Sequence, residues 1–198
     1  MANPLVIVLH GPSGVGKDSV IDLLRQRTGI HRATSTTSRP PRNGEVDAEH
    51  YHFVSREEFE RRIKAGEFIE WALVYGDYKG VERRKIEEPL SNGKDLIIRT
   101  DVQGARAWRQ KLEGAISVFL TAEDRDTLRA RLIQRQSESD ESLAARVAEL
   151  EAELDDIPNN DYVVTNEHGS LDAAVDELER IIAIEHANEK RGAAHIRE

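Results

Sequence analysis

Apolar residues along the chain fall into two rhythms, and the switches between them mark out the elements. Leu5-Val6-Ile7-Val8-Leu9 is an unbroken apolar, largely β-branched run, the pattern of a strand covered on both faces in a parallel sheet. Val20, Leu23 and Leu24 then recur at helical spacing, and Gly29 stands where a left-handed cap would end that helix. The first unit is therefore strand, glycine-rich loop, helix. The alternation continues with a strand at Leu96-Ile97-Ile98, a helix from Ala105 to Leu112, a strand from Ile116 to Leu120 and a helix carrying Leu128 and Leu132. Leu143, Val147, Leu150 and Leu154 predict another amphipathic helix, Tyr162-Val163-Val164 a last strand, and Leu171, Val175, Leu178 and Ile182 a final helix. Strand and helix taking turns in this way predict an α/β domain on a parallel sheet. The polar residues from Glu189 onward read as a frayed tail.

Two charged stretches interrupt the rhythm. From Ser35 to Tyr78 the pattern becomes short strands around one helix, whose start carries a capping box, Ser55 with Glu58; this predicts an insertion with its own small sheet. From Arg125 to Arg146, five arginines surround the Ser/Glu/Asp-rich segment 137–142, which predicts a helical hairpin with a mobile tip.

Composition narrows the class. The chain has 198 residues, 38% hydrophobic and 33% charged, enough for one compact domain with a real core and a heavily charged surface. With 28 basic and 37 acidic residues the net charge is −9, which disfavours non-specific nucleic-acid binding. No apolar run reaches membrane-spanning length, and Met1-Ala2-Asn3-Pro4 carries no basic leader, so membrane and secreted readings lose support. The absence of cysteine excludes disulfides, thiolate metal sites and a cysteine nucleophile and fits a reducing compartment. The expectation is a cytoplasmic protein without membrane or nucleic-acid partners, as a monomer or homodimer.

The chemistry begins at Gly11-Pro12-Ser13-Gly14-Val15-Gly16-Lys17, between the first strand and helix. There, backbone amides and the positive helix end can cradle an anionic phosphate. Lys17 would reach the β- and γ-phosphates, and Ser19 offers a hydroxyl to magnesium. The strict motif asks for Ser or Thr directly after the lysine; this chain has Asp18. A glycine-rich turn capping an ordinary helix is the plainer alternative. A second cluster, Ser35-Thr36-Thr37-Ser38-Arg39-Pro40-Pro41-Arg42 with Tyr51, is either exposed surface charge or a second phosphate site, since arginine forks match phosphate oxygens. Two such sites in one protein suit phosphoryl transfer between nucleotides.

The succession GPSGVGK, TTSRPPRNGEVDAEHYHFVSREEF, GEFIEWALVYGDYKG and DVQGA resembles guanylate kinases in order and spacing over roughly residues 5–185. The resemblance implies an α/β P-loop three-layer fold with a parallel core sheet, an inserted small mixed-sheet GMP-binding subdomain and a helical lid. Its parts would be core at 1–33, 93–124 and 148–188, GMP-binding insertion at 34–92, lid at 125–147 and a polar tail at 189–198. It implies Mg2+-dependent transfer of the γ-phosphoryl of ATP to GMP or dGMP, in purine nucleotide metabolism. Residues 11–19 and Asn166 would bind ATP. Ser35 and Glu70 would contact guanine, Arg39, Arg42 and Tyr51 the GMP phosphate, and Asp101 would lie between the nucleotides. Arg131, Arg135 and Arg146 would close over the donor and join Lys17 and Arg42 in catalysis, and Asp18 would assist Ser19 at the metal.

The chain departs from the family where a second tyrosine and a Ser/Thr are common: Lys79 and Val81 stand there, and Arg99 replaces a frequent acid. Lys79 can supply a cation to the phosphate, but Val81 cannot hydrogen-bond the base. The rival readings are a phosphokinase for a phosphorylated sugar, suggested by the GKDS sequence, and a non-catalytic guanylate-kinase-like interaction module.

Overall fold

The computed structural model describes residues 3–42, 44–74, 76–124, 127–128 and 150–197. Its strands are β1 (Val6–His10), β2 (His31–Ala33), β3 (Thr36–Thr37), β4 (His52–Phe53), β5 (Phe68–Val74), β6 (Asp77–Glu82), β7 (Leu96–Arg99), β8 (Leu112–Glu113), β9 (Ile116–Thr121), β10 (Tyr162–Thr165) and β11 (His195–Ile196). The helices are α1 (Lys17–Thr28), α2 (Arg56–Lys64), α3 (Arg84–Ser91), α4 (Val102–Lys111) and α5 (Leu171–Ala187). A helical stretch at 150–154 leads to a 3-10 turn at Ile157–Asn159. The hairpin expected at 125–147 lies outside the described residues, apart from the helical pair 127–128.

Five strands form one sheet in the order β10-β9-β1-β7-β2, every pairing parallel. Strand alternation explains its layers. Leu5, Ile7 and Leu9 pack with Val20, Ile21 and Leu24 of α1 and with Val175, Leu178 and Ile181 of α5. Val6 and Val8 face the other way, onto Ile86 of α3 and Ala105 and Trp108 of α4. All five residues of β1 are buried, as the two-faced apolar run requires. Parallel strands bring their carboxyl ends to one edge, and the loops there carry the candidate chemistry.

The insertion forms a four-stranded mixed sheet, β4-β3-β6-β5, in which β3 runs parallel to β4 and antiparallel to β6. Between Phe68 and Glu70 the β5–β6 register slips, so Phe68 and its neighbour Ile69 are both buried. Phe68 stacks on Phe59 of α2 at 4.3 Å between centroids, while Ile69 and Val81 join the cluster beneath α4. The insertion thus shares core with the main sheet. Ser55 caps α2 by accepting from the Glu58 amide at 3.1 Å, but only half of the expected box forms: the Glu58 carboxylate turns to Arg61 and Arg62.

The C-terminal residues are not frayed. β11 pairs antiparallel with β8, the Arg197 amide donates to the Lys111 carbonyl at 2.8 Å, and Ile196 packs beside the α4-side cluster. One isoleucine and a free strand edge just after α4 suffice to dock a segment whose composition is polar.

A second long-range tie is ionic. Asp156 is 1% exposed and accepts from Arg106 at 3.0 Å and from Arg109, both on α4. Burial pushes its carboxyl up, yet hydrogen bonds from Arg109, Arg106 and Asn159 outweigh burial and hold it below the ordinary value. Because the folded pKa is depressed, this stabilisation is present above the unfolded pKa and is lost as pH falls through the folded one. Asp156→Asn is expected to cost about 2 kcal/mol in urea unfolding at pH 7, below the full value for a buried pair because both arginines reach solvent. The difference from the parent should shrink in acid.

Candidate active site

Between β1 and α1 the backbone takes positive φ at Gly11 (144°), Gly14 (85°) and Gly16 (93°). Two of these glycines are required for space as well. A Cβ at residue 11 would lie 2.1 Å from the Leu120 carbonyl oxygen, and one at residue 16 would lie 2.5 Å from Asn166 Nδ2. Val15 plugs the underside of the loop into the core, and Pro12 is buried while Ser13 is exposed. Gly16 provides no side-chain cap for α1, so the first amides of that helix remain available to an anion.

Lys17, the first residue of α1, is 8% exposed and curls back to donate to the carbonyls of Gly11 (2.6 Å) and Pro12 (2.8 Å). Burial, followed by the nearby charge of Arg99, lowers its pKa to about 8. Ser19 is exposed on the first turn. Asp18 does something its place in the motif did not suggest: one oxygen accepts from Arg32 at 2.9 Å and the other from Arg99 at 3.0 Å. Both oxygens are engaged by guanidinium groups. Asn166 meets the loop itself. It is buried, and its amide donates to the Val15 carbonyl at 2.8 Å, fastening the loop from beneath; the two residues are 151 positions apart, and no local signal connects them.

The second cluster assembles around Arg39, which is 8% exposed. Its guanidinium donates through both Nη atoms to Glu45, each at 2.6 Å, and lies 5.1 Å above the Tyr51 ring. The Arg39 hydrogen bonds, and after them the Arg42 amide, hold the Glu45 carboxyl at about 2. Glu45 was not singled out from the sequence, where it is one acid among many. It also accepts from the Arg42 amide at 2.7 Å, which draws the turn tight; the Arg42 side chain is exposed. Lys79 Nζ lies 5.9 Å from the Tyr51 centroid, so Arg39, Tyr51 and Lys79 converge. Ser35, half-buried, precedes β3 and is held by the bond from the His52 amide to its carbonyl.

Glu70 sits on β5 opposite the buried Val81. Its carboxylate makes no hydrogen bond or ion pair among the described residues. Burial pushes it above the ordinary carboxylate value, with Lys111 pulling it down and Asp101 pushing it further up. Asp101 caps α4 by accepting from the Gly104 amide at 2.7 Å, and its charge acts on both Lys17 and Glu70. Asp101 is thus a charge felt by both the phosphate-loop lysine and the half-buried acid. Arg131, Arg135 and Arg146 lie outside the described residues.

Known proteins resemble this chain in both sequence and fold. The family described as guanylate kinase matches residues 3–185. A curated relative, guanylate kinase 2, chloroplastic/mitochondrial, from Oryza sativa subsp. japonica, is 44% identical over 195 residues, covering 98% of this chain and 68% of its own. The guanylate kinase of Symbiobacterium thermophilum is 45% identical over 191 residues, covering 96% and 90%. Among solved structures, guanylate kinase from Anaplasma phagocytophilum superposes with a TM-score of 0.77 at 28% identity, covering 96% of this chain and 90% of that one. Agreement of sequence and fold over nearly the whole length makes this chain a member of the guanylate kinase family, and so a nucleoside monophosphate kinase.

Proposed function

We propose that the enzyme transfers the γ-phosphoryl group of ATP to GMP and dGMP, giving ADP and the guanine nucleoside diphosphate, within purine nucleotide metabolism. The observation that carries the choice of acceptor is the half-buried Glu70 carboxylate, which has no hydrogen-bond or ion-pair partner among the described residues. An ionised carboxylate accepts from a ring N–H and an exocyclic amine on the same edge, a donor pair that guanine offers. Adenine would set an acceptor nitrogen against it, at a cost of about 1–3 kcal/mol or more. Val81 adds no polar contact from the facing strand, so Ser35 and Glu70 carry base choice together.

Arg39, braced by Glu45, acts with Arg42, Tyr51 and Lys79 to hold the acceptor phosphate. Lys17 exchanges two loop carbonyls for the donor's β- and γ-phosphate oxygens, and the uncapped amides of α1 complete the cradle. Asp101 orients the acceptor between them. No covalent intermediate is needed: an acceptor phosphate oxygen attacks in line, while the protein aligns the partners and compensates charge. In this reading Arg131, Arg135 and Arg146 close over the donor and exclude water.

Ser19, an exposed hard-oxygen donor on the first turn of α1, fits a magnesium ion that otherwise keeps water and phosphate ligands. Asp18 does not fit while Arg32 and Arg99 occupy its oxygens. When bound, the ion supplies neutralisation of phosphate charge.

An ADP-release assay over GMP, dGMP, AMP, UMP and a ribose bisphosphate tests the assignment; equal turnover of AMP and GMP, or a preference for the bisphosphate, would refute it. Glu70→Gln should cut the preference for GMP over AMP by about a hundredfold. In the parent, KM for GMP should rise as pH falls through the raised Glu70 pKa, where the acid takes up a proton, and the variant should lack that limb. Lys17→Ala should lower kcat at least about a hundredfold with GMP affinity nearly unchanged. Small-angle scattering should show a smaller radius of gyration with both nucleotides bound, and an unchanged radius at saturation would remove lid closure from the scheme.

A further inference from the structure

Two departures from the family pattern, Asp18 and Arg99, meet in space. Arg99 ends β7 opposite Leu9 of β1, and it lies two residues beyond Ile97, whose side chain faces α1. Strand alternation therefore sends Arg99 to the α1 side, at the mouth of the phosphate loop. There its Nη2 donates to Asp18 at 3.0 Å, while Arg32, with a side chain 8% exposed, holds the other Asp18 oxygen at 2.9 Å. Arg99 Nε is buried with no hydrogen-bond partner, and among charged neighbours Arg99 acts most strongly on Lys17.

A structural ion pair does not account for this. Arg32 alone would engage Asp18, and it is the better buried of the two arginines. Adding Arg99 leaves a buried N–H unmade and sets a like charge near Lys17, both unfavourable until an anion arrives. Asp22 also pairs with Arg32, at 3.5 Å, and Glu153 and Asp101 act on Lys17 beside Asp18, so the acids near the loop are shared among Lys17, Arg32 and Arg99, and it is the unpartnered Nε of Arg99 that is left to meet an anion.

Resting on the nucleotide-kinase reading above, we propose that Arg99 is a further phosphate-binding residue of the donor site and that Asp18, itself fixed by Arg32, is its positioning residue. The group recognised is a polyphosphate. The two unusual residues are then one device, in which a carboxylate on the helix aims a guanidinium from the neighbouring strand.

Titration calorimetry with sodium tripolyphosphate, and separately with GMP, in the presence of a chelator tests this on the full chain. Arg99→Gln should bind tripolyphosphate about tenfold more weakly than the parent, with GMP affinity and melting temperature nearly unchanged, and Arg99→Lys should recover most of the loss. In turnover assays, KM for ATP should rise while KM for GMP stays constant. Asp18→Asn discriminates by sign: loss of aim weakens tripolyphosphate binding, whereas loss of a merely repelling carboxylate strengthens it. Parent-like binding by Arg99→Gln overturns the role of Arg99, and tighter binding by Asp18→Asn overturns that of Asp18. A parent that binds no tripolyphosphate would instead bring down the donor-site reading itself, and this inference with it. If Arg99→Gln does not melt cooperatively, the lysine variant decides: tripolyphosphate affinity and KM for ATP close to the parent's support the proposal, and a loss of about tenfold in a cooperatively melting lysine variant opposes it.

Discussion

The backbone of Gly11 approaches β9 so closely that an added methyl would meet the Leu120 carbonyl oxygen at 2.1 Å. That contact is what the site depends on. It presses the turn after β1 against the neighbouring parallel strand, while the Asn166 amide ties Val15 down from below. With the loop held at both points, Lys17 and the first amides of α1 are presented to one volume before any ligand arrives. A loop free to move would have to be ordered during binding, at about 1–2 kcal/mol of backbone entropy per residue. Preorganisation of this kind is the protein's main contribution where the reaction is transfer between two bound anions.

Charge is arranged by the same principle. The chain is acidic overall, at −9, yet its candidate sites are cationic, and their arginines are braced by dedicated acids. Glu45 grips Arg39 through both Nη atoms, and Asp18 joins Arg32 to Arg99. A held guanidinium loses less side-chain freedom on meeting a phosphate than a loose one. The exposed pair between Arg27 of α1 and Asp176 of α5 differs. Both partners reach solvent, and such pairs contribute about 0–1 kcal/mol.

Glu70 obeys the opposite logic. Its carboxylate is partly buried and raised in pKa, an arrangement unfavourable for folding that the proposed reaction would use for recognition. Lys111, whose Nζ donates to the Ile69 carbonyl at 2.7 Å, fixes the strand next to this acid and partly offsets its desolvation. The C-terminal β11, bonded to the residues that follow α4, in turn braces the end of the helix that carries Lys111.

Periodicity and glycine placement in the sequence by themselves determined the parallel α/β core, the loop between β1 and α1, the Gly29 cap and the small inserted sheet, because these follow from interactions among near neighbours and from alternation along one element. Residue type likewise marked Lys17, Arg39 and Tyr51 as chemistry-bearing, whereas Glu70 stood out only through the family resemblance. Only the tertiary structure decided what Asp18, Glu45, Asn166 and the last few residues do. Asp18 reads locally as a metal donor, and it took β2 and β7 lying side by side to bring two guanidiniums to it. Asn166 is tied to the donor site in the sequence by resemblance alone, and the sheet order, with β10 next to β9, brings its amide under the loop. The C-terminal segment reads as solvated chain until β8 offers an open edge. In each case the deciding partner is remote in sequence, and a hydrogen bond depends on distance in space.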